Sequence, residues 1–121
     1  METLKVEDIQ HKALILIVNR NWDGKESSLY ETIRFAWRVS KSRAERAEVI
    51  LASYNRRIVG AFIAEEWLEA TAENFPSRGT GSNRYGFIGR EASPDIQNLY
   101  VGKRVSDELR GYGGSFRYVN C

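Results

Sequence analysis

Residues 13–18, Ala-Leu-Ile-Leu-Ile-Val, are apolar without a break, and the polar Asn19, Arg20 and Asn21 follow them. Such a short β-branched and aliphatic run predicts a buried strand, with a loop over 19–28. Leu29, Ile33 and Ala36 or Trp37 then fall at helical spacing, which predicts a helix capped by Ser27 or Ser28, with Glu31 in its first turn. A second, short helix is expected over 40–48, where Ser42 and Glu45 have capping-box spacing. The runs 49–54 and 57–64 are both rich in strand-forming residues and are separated by Asn55-Arg56. That pattern predicts a hairpin, because Asn tolerates the positive φ of a tight turn. Residues 65–74 read as a strand end with a helical turn, 75–83 as a loop and 84–90 as a strand. Ser93, Pro94 and Asp95 make a strong helix start, and Gly102 ends that helix. Residues 115–120 read as the closing strand. The order implies one small α+β domain over 1–121, with an antiparallel sheet and helices packed on one face.

Composition is that of a folded domain: 121 residues, 42% hydrophobic and 28% charged. No apolar run reaches the roughly 20 residues of a membrane span. The polar, acidic start of the chain does not read as a signal peptide. A cytoplasmic protein with no membrane partner is therefore expected. Cys121 is the sole cysteine and His11 the sole histidine, so neither an internal disulfide nor a Cys/His metal site is expected, and no cofactor is implied. The net charge is only +2, but residues 25–57 hold eight Lys or Arg against four Asp or Glu, and residues 84–121 hold six against four. Between them, residues 58–83 hold one against four. Two basic segments suit an anionic ligand. The balance falls short of the basic stripe expected of a nucleic-acid-binding domain.

Catalytic motifs are missing. Gly102-Lys103 is followed by Arg104 and lacks the upstream glycine of a phosphate-binding loop. A Ser-His or Cys-His nucleophile has little to draw on. Glu65, Glu66 and Glu69 read as a solvated acidic face. Trp37 and Trp67 read as core or subunit packing, Trp22 as a loop residue open to an interface, and His11 as a surface residue. What remains is a tail in which Arg104, Arg110 and Arg117 are interleaved with glycine and tyrosine. Arginine forks grip phosphate, glycine turns present backbone N–H groups, and aromatic faces stack on bases. The expected class is a binding protein rather than an enzyme.

Tyr30-Glu31-x-x-Arg34-x-x-Trp37, Arg43-Ala44-x-x-Ala47, Ile58-Val59-x-x-Phe62, Phe87-x-Gly89, Tyr100-x-Gly102-Lys103 and Arg117-Tyr118 follow one another along residues 30–120. This framework resembles the first-described anti-Thoeris phage proteins. Those are oligomeric sponges, acting in the host cytoplasm, that sequester cyclic ADP-ribose signals made by bacterial TIR-domain enzymes in immune defence. The resemblance implies a homo-oligomer, dimer or hexamer, that holds the nucleotide without degrading it, in a pocket between subunits. It assigns Phe87 to the base, Asn98 to polar base contacts, and Arg104, Arg110, Arg117 and Arg57 to the phosphates. Some members also bind cyclic oligonucleotides through an Arg-Gly pair. The matching segment here is Arg34-Phe35, where the ring would obstruct a backbone approach that needs glycine. The tail also departs from the pattern around Arg110.

Two other readings stand beside this one. A nucleic-acid-binding or nuclease-accessory module would bind oligomers with a steep salt dependence. An inhibitor acting by protein contact would hold a host defence enzyme and no small ligand. A sponge has a further requirement. Nanomolar affinity takes about 12 kcal/mol, so several charge-assisted phosphate contacts must meet in one place.

Overall fold

The two apolar runs become the centre of a sheet. The structure is a computed structural model that describes residues 3–18, 22, 24–35, 37–76, 83–109 and 116–121. Strands β2 (Ala13–Ile17) and β3 (Val49–Tyr54) lie parallel, with Ala13 opposite Val49 and Ile17 opposite Ser53. Parallel neighbours need a crossover, and helices α1 (Glu26–Ile33) and α2 (Lys41–Ala44) supply it. Strand β4 (Arg57–Glu69) returns antiparallel to β3. Its two-residue turn holds Asn55 at φ 50° and Arg56 at φ 64°, the left-handed pair that matches strand twist. Strand β5 (Tyr85–Glu91) pairs antiparallel with the far half of β4. Helix α3 (Pro94–Tyr100) then lifts the chain off the sheet, and β6 (Arg104–Val105) rejoins β4 at Arg57. Strand β1 (Thr3–Leu4) runs parallel to β6, and β7 (Phe116–Val119) runs antiparallel to β2. The strand order is β1-β6-β4-β3-β2-β7, with β5 also on β4.

The α+β class is as expected, but the sheet is mixed and both its faces are covered. On one face, Ile96, Leu99 and Tyr100 of α3 pack with Ala13, Ile15, Val49, Leu51, Ile58 and Ala61. On the other, Leu29, Ile33 and Ala44 of α1 and α2 pack with Leu14, Leu16, Ile50, Ala52 and Phe62. Adjacent residues of β2 and β3 thus enter opposite cores, which is why these strands carry unbroken apolar runs. A sheet with helices on one face only would have shown alternation there.

Local details differ from expectation at the helix starts. Helix α1 begins with Lys25 at the N-cap position, so Ser28 lies inside the first turn and its hydroxyl donates to the Lys25 carbonyl at 3.0 Å. Helix α2 starts from Ser40, so Ser42 caps nothing. Helix α3 matches the expected start, with Ser93 at the N-cap and Pro94 following, and Gly102 lies just past its end at φ 91°. Strand β4 runs five residues beyond the expected 57–64, with Glu65 bulged between the pairs Ala64–Gly89 and Glu66–Ile88. Among the described residues, no helix is long and apolar enough to cross a membrane.

Candidate functional site

Arg57 and Arg104 are 47 positions apart in the sequence and directly opposite one another in the sheet. The Ile58 amide donates to the Lys103 carbonyl at 3.0 Å, and the Val105 amide donates to the Arg56 carbonyl at 2.7 Å. Arg57 and Arg104 are therefore a non-hydrogen-bonded pair, the kind whose Cα atoms approach to about 4.5 Å and whose side chains lie closest. Ile58 and Val105 enter the core under α3, so strand alternation turns both arginines to the opposite face. A row then crosses four strands on that face: Thr3, Arg104, Arg57 and Tyr54. Thr3 and both arginines are exposed, and Tyr54 is half-buried. The Tyr54 ring meets Trp22 edge-on, with centroids 4.9 Å apart. Arg56, in the turn beside this row, is exposed as well. Like charges placed directly opposite in a sheet are unfavourable, and an anion nearby would offset that repulsion.

A cleft of about 570 Å³ begins at Val59, two residues along β4 from Arg57, and no residue of the row lines it. Its origin is the detour through α3. The pairing of β5 with β4 stops at Phe62, and β6 resumes only at Arg57. The edge of β4 between them is left to the cleft, whose lining includes Leu29, Val59, Gly60, Phe62, Gln97 and Val101. Val59 has no partner in β3, because Ser53 pairs with Ile58 and Ala52 with Gly60. Strand alternation places Val59 on the same face as Arg57, where it packs with the α1 core, and the bulge shifts the phase beyond it so that Ala61 faces α3. The Gln97 side-chain amide spans the gap, donating to the Ala61 carbonyl at 3.0 Å and the Ala92 carbonyl at 3.3 Å.

The other expected site residues do not join this row. Phe87 is fully buried in β5. Its ring packs on Trp67 at 5.1 Å and Tyr30 at 6.2 Å, so within this chain it is a core ring and has no open face for a base. Asn98 is exposed on α3, and α3 covers the face opposite the arginine row. Arg117 lies opposite Ile15 on β7, and it shares the α3 side of the sheet with Val119. Four strand spacings, roughly 19 Å, separate β7 from β6. Arg104 and Arg117 therefore cannot grip one phosphate within a chain. The Arg117 Nε is buried without a hydrogen-bond partner. Its neighbour Tyr118 lies under the Arg43 guanidinium at 3.9 Å and accepts a hydrogen bond from the Ser40 amide at 2.9 Å. Arg110 lies outside the described residues.

Arg34, which the resemblance matches to a possible second nucleotide site, caps the end of α1. Its Nε donates to Glu31 Oε2 at 3.2 Å, and its guanidinium lies over the Phe75 ring at 5.2 Å and the Tyr30 ring at 5.5 Å. Phe35 packs on Phe75 with centroids 5.0 Å apart.

Of the remaining side chains singled out in the sequence, Glu65 pairs with Arg90 at 2.9 Å on the surface. Trp22 is buried, and its indole N–H donates to the Lys25 carbonyl at 3.0 Å, so it is core rather than interface. His11 is half-buried and bonded through Nδ1 to the Tyr100 hydroxyl at 2.5 Å. Sequence reasoning passed over Tyr54, Val59 and Val101. Their apolar character reads only as strand or helix-end packing until β6 is placed beside β4.

No family model, no curated protein and no solved structure matches this chain.

Proposed function

We propose that this protein binds a signalling nucleotide of the cyclic ADP-ribose type and holds it without chemical change, as a phage sponge acting in the host cytoplasm. The observation that carries this reading is the pairing of Arg57 with Arg104. Two arginines side by side on one exposed face suit the two phosphates of a pyrophosphate. The resemblance of residues 30–120 to the anti-Thoeris sponges supplies the ligand class. Arg117, on the other face and the far edge, contributes to the same ligand only from a second copy of the chain, which is how a homo-oligomer enters this reading.

Titration calorimetry with cyclic ADP-ribose tests it. The wild-type chain binds with a micromolar or lower Kd. Arg57→Ala and Arg104→Ala each weaken binding tenfold or more, as expected for a charge-assisted contact of about 1.5–3 kcal/mol. Nucleotide released by heating is recovered intact by mass spectrometry. A folded protein that gives no heat at 100-fold molar excess of ligand would remove this reading. Recovery of a cleaved nucleotide would replace the sponge with a hydrolase.

A further inference from the structure

We infer that the cleft beside the arginine pair is the subsite for the nucleoside base, so that one chain grips phosphate and base on adjoining surfaces. The inference rests on the phosphate role proposed for Arg57 and Arg104. It moves the base away from Phe87, whose ring is enclosed by Trp67 and Tyr30.

Three observations carry it. First, the cleft has the size of a small-molecule site, about 570 Å³, within the range of ordinary ligand pockets. Second, the cleft and the arginines are neighbours along the chain, although neither arginine belongs to the lining. Val59 follows Arg57 by two residues and faces the same side of the sheet. Val101 precedes Arg104 by three, across the turn that ends α3. Two residues of extended strand span about 7 Å, the scale that separates a base from the phosphate of its own nucleotide. Third, the walls suit a flat, weakly polar ring. Leu29, Val59, Gly60, Phe62 and Val101 present apolar surface, and Gly60 lets Leu29 lie directly on the backbone, since a Cβ there would sit 2.6 Å from Leu29 Cδ2. The lining also includes the exposed polar residues Glu91 and Ser93, which can accept or donate hydrogen bonds at a base edge. The arginine pair lies beyond the Val59 end, so an apolar stretch is flanked by cations on one side and by the Glu91 carboxylate in the lining.

Backbone amide chemical shifts of the full-length protein, read separately with adenosine and with inorganic pyrophosphate, test this. Adenosine shifts the amides of Gly60, Ala61, Ala92 and Val101. Pyrophosphate shifts those of Arg57, Ile58, Arg104 and Val105. A ligand that joins the two parts, ADP-ribose, shifts both sets and binds at least tenfold more tightly than either fragment. Val59→Phe, which fills the cleft from a half-buried position, weakens adenosine binding tenfold or more. Should adenosine leave the cleft amides unmoved, or bind folded Val59→Phe as it binds wild type, the base subsite is overturned, while pyrophosphate shifts would keep the phosphate role. Loss of the pyrophosphate response would remove the phosphate role, and this inference with it.

Discussion

Arg56 holds φ 64° in the hairpin turn, a conformation that costs an ordinary L-residue about 1 kcal/mol and costs glycine nothing. Asparagine followed by glycine is the favoured pair for such a turn, and this chain places arginine in the second position. Arg56→Gly is therefore expected to raise stability by about 1 kcal/mol, read as a higher urea midpoint at unchanged slope. The same substitution should weaken pyrophosphate binding, because it removes one cation from beside the Arg57–Arg104 pair. A midpoint that stays or falls would show that the Arg56 side chain stabilises the turn in some other way. Phe87 is the converse case. Its burial predicts a loss of about 3–5 kcal/mol for Phe87→Ala and a smaller one for Phe87→Leu, which keeps most of the apolar volume. Folded Phe87→Leu should bind ADP-ribose, which carries a base, within twofold of wild type. A tenfold loss there would return Phe87 to the site. That Phe87 is core was half legible in the sequence. A phenylalanine in a strand reads equally as core or as platform, and only the rings of Tyr30 and Trp67 decide between them.

At the level of elements, the long strand β4 organises the molecule. It pairs with β3 on one side and with β5 and β6 in turn on the other. Two bulges, at Val59 and Glu65, bend it. The second requires Gly89, because a Cβ at that position would lie 1.9 Å from the Ile63 carbonyl oxygen. Gly89→Ala must push two backbones apart and is expected to cost about 3 kcal/mol, measured by chemical denaturation. A loss below about 1 kcal/mol would mean that the bulge relaxes freely. The long elements were legible, since their apolar runs and the α3 cap leave few alternatives. Strands β1 and β6 were not, because two residues carry no periodicity. Thr3-Leu4 and Arg104-Val105 are strands only because they find each other and β4. The arginine pair depends on that short strand, which is why the site was harder to read than the fold.

For the molecule as a whole, the N-terminal segment is fastened to the end of α3 through Tyr100. The Gln10 amide donates to the Tyr100 hydroxyl at 3.1 Å, and the hydroxyl is also bonded to His11 Nδ1. Burial pushes the Tyr100 hydroxyl above its ordinary value, and the Glu48 carboxylate acts in the same direction, against the hydrogen bonds from residues 10 and 11. The sign follows from linkage. A hydroxyl that ionises less readily when folded favours the native state up to the ordinary tyrosine value near pH 10, and that contribution is lost as the pH rises through the folded value. The urea midpoint should therefore fall above about pH 10. Tyr100→Phe should remove that part of the fall, at a cost of about 1 kcal/mol at neutral pH for the lost hydrogen bonds. Equal alkaline slopes for the two proteins would rule out Tyr100 as the source.

The sequence by itself determined the strongly patterned parts: buried central strands, the Asn55-Arg56 hairpin, the Ser93-Pro94 helix start and an excess of cations suited to an anion. These follow from local periodicity and turn chemistry, which act over a few residues. The tertiary structure alone decided that helices cover both faces, that Arg117 stands apart from Arg104, and that Arg57 meets Arg104 beside a cleft. Each of those depends on the register between strands distant in sequence. Which distant strand becomes a neighbour, and in what register, is settled by packing of side chains across the whole sheet, over separations that local periodicity does not span.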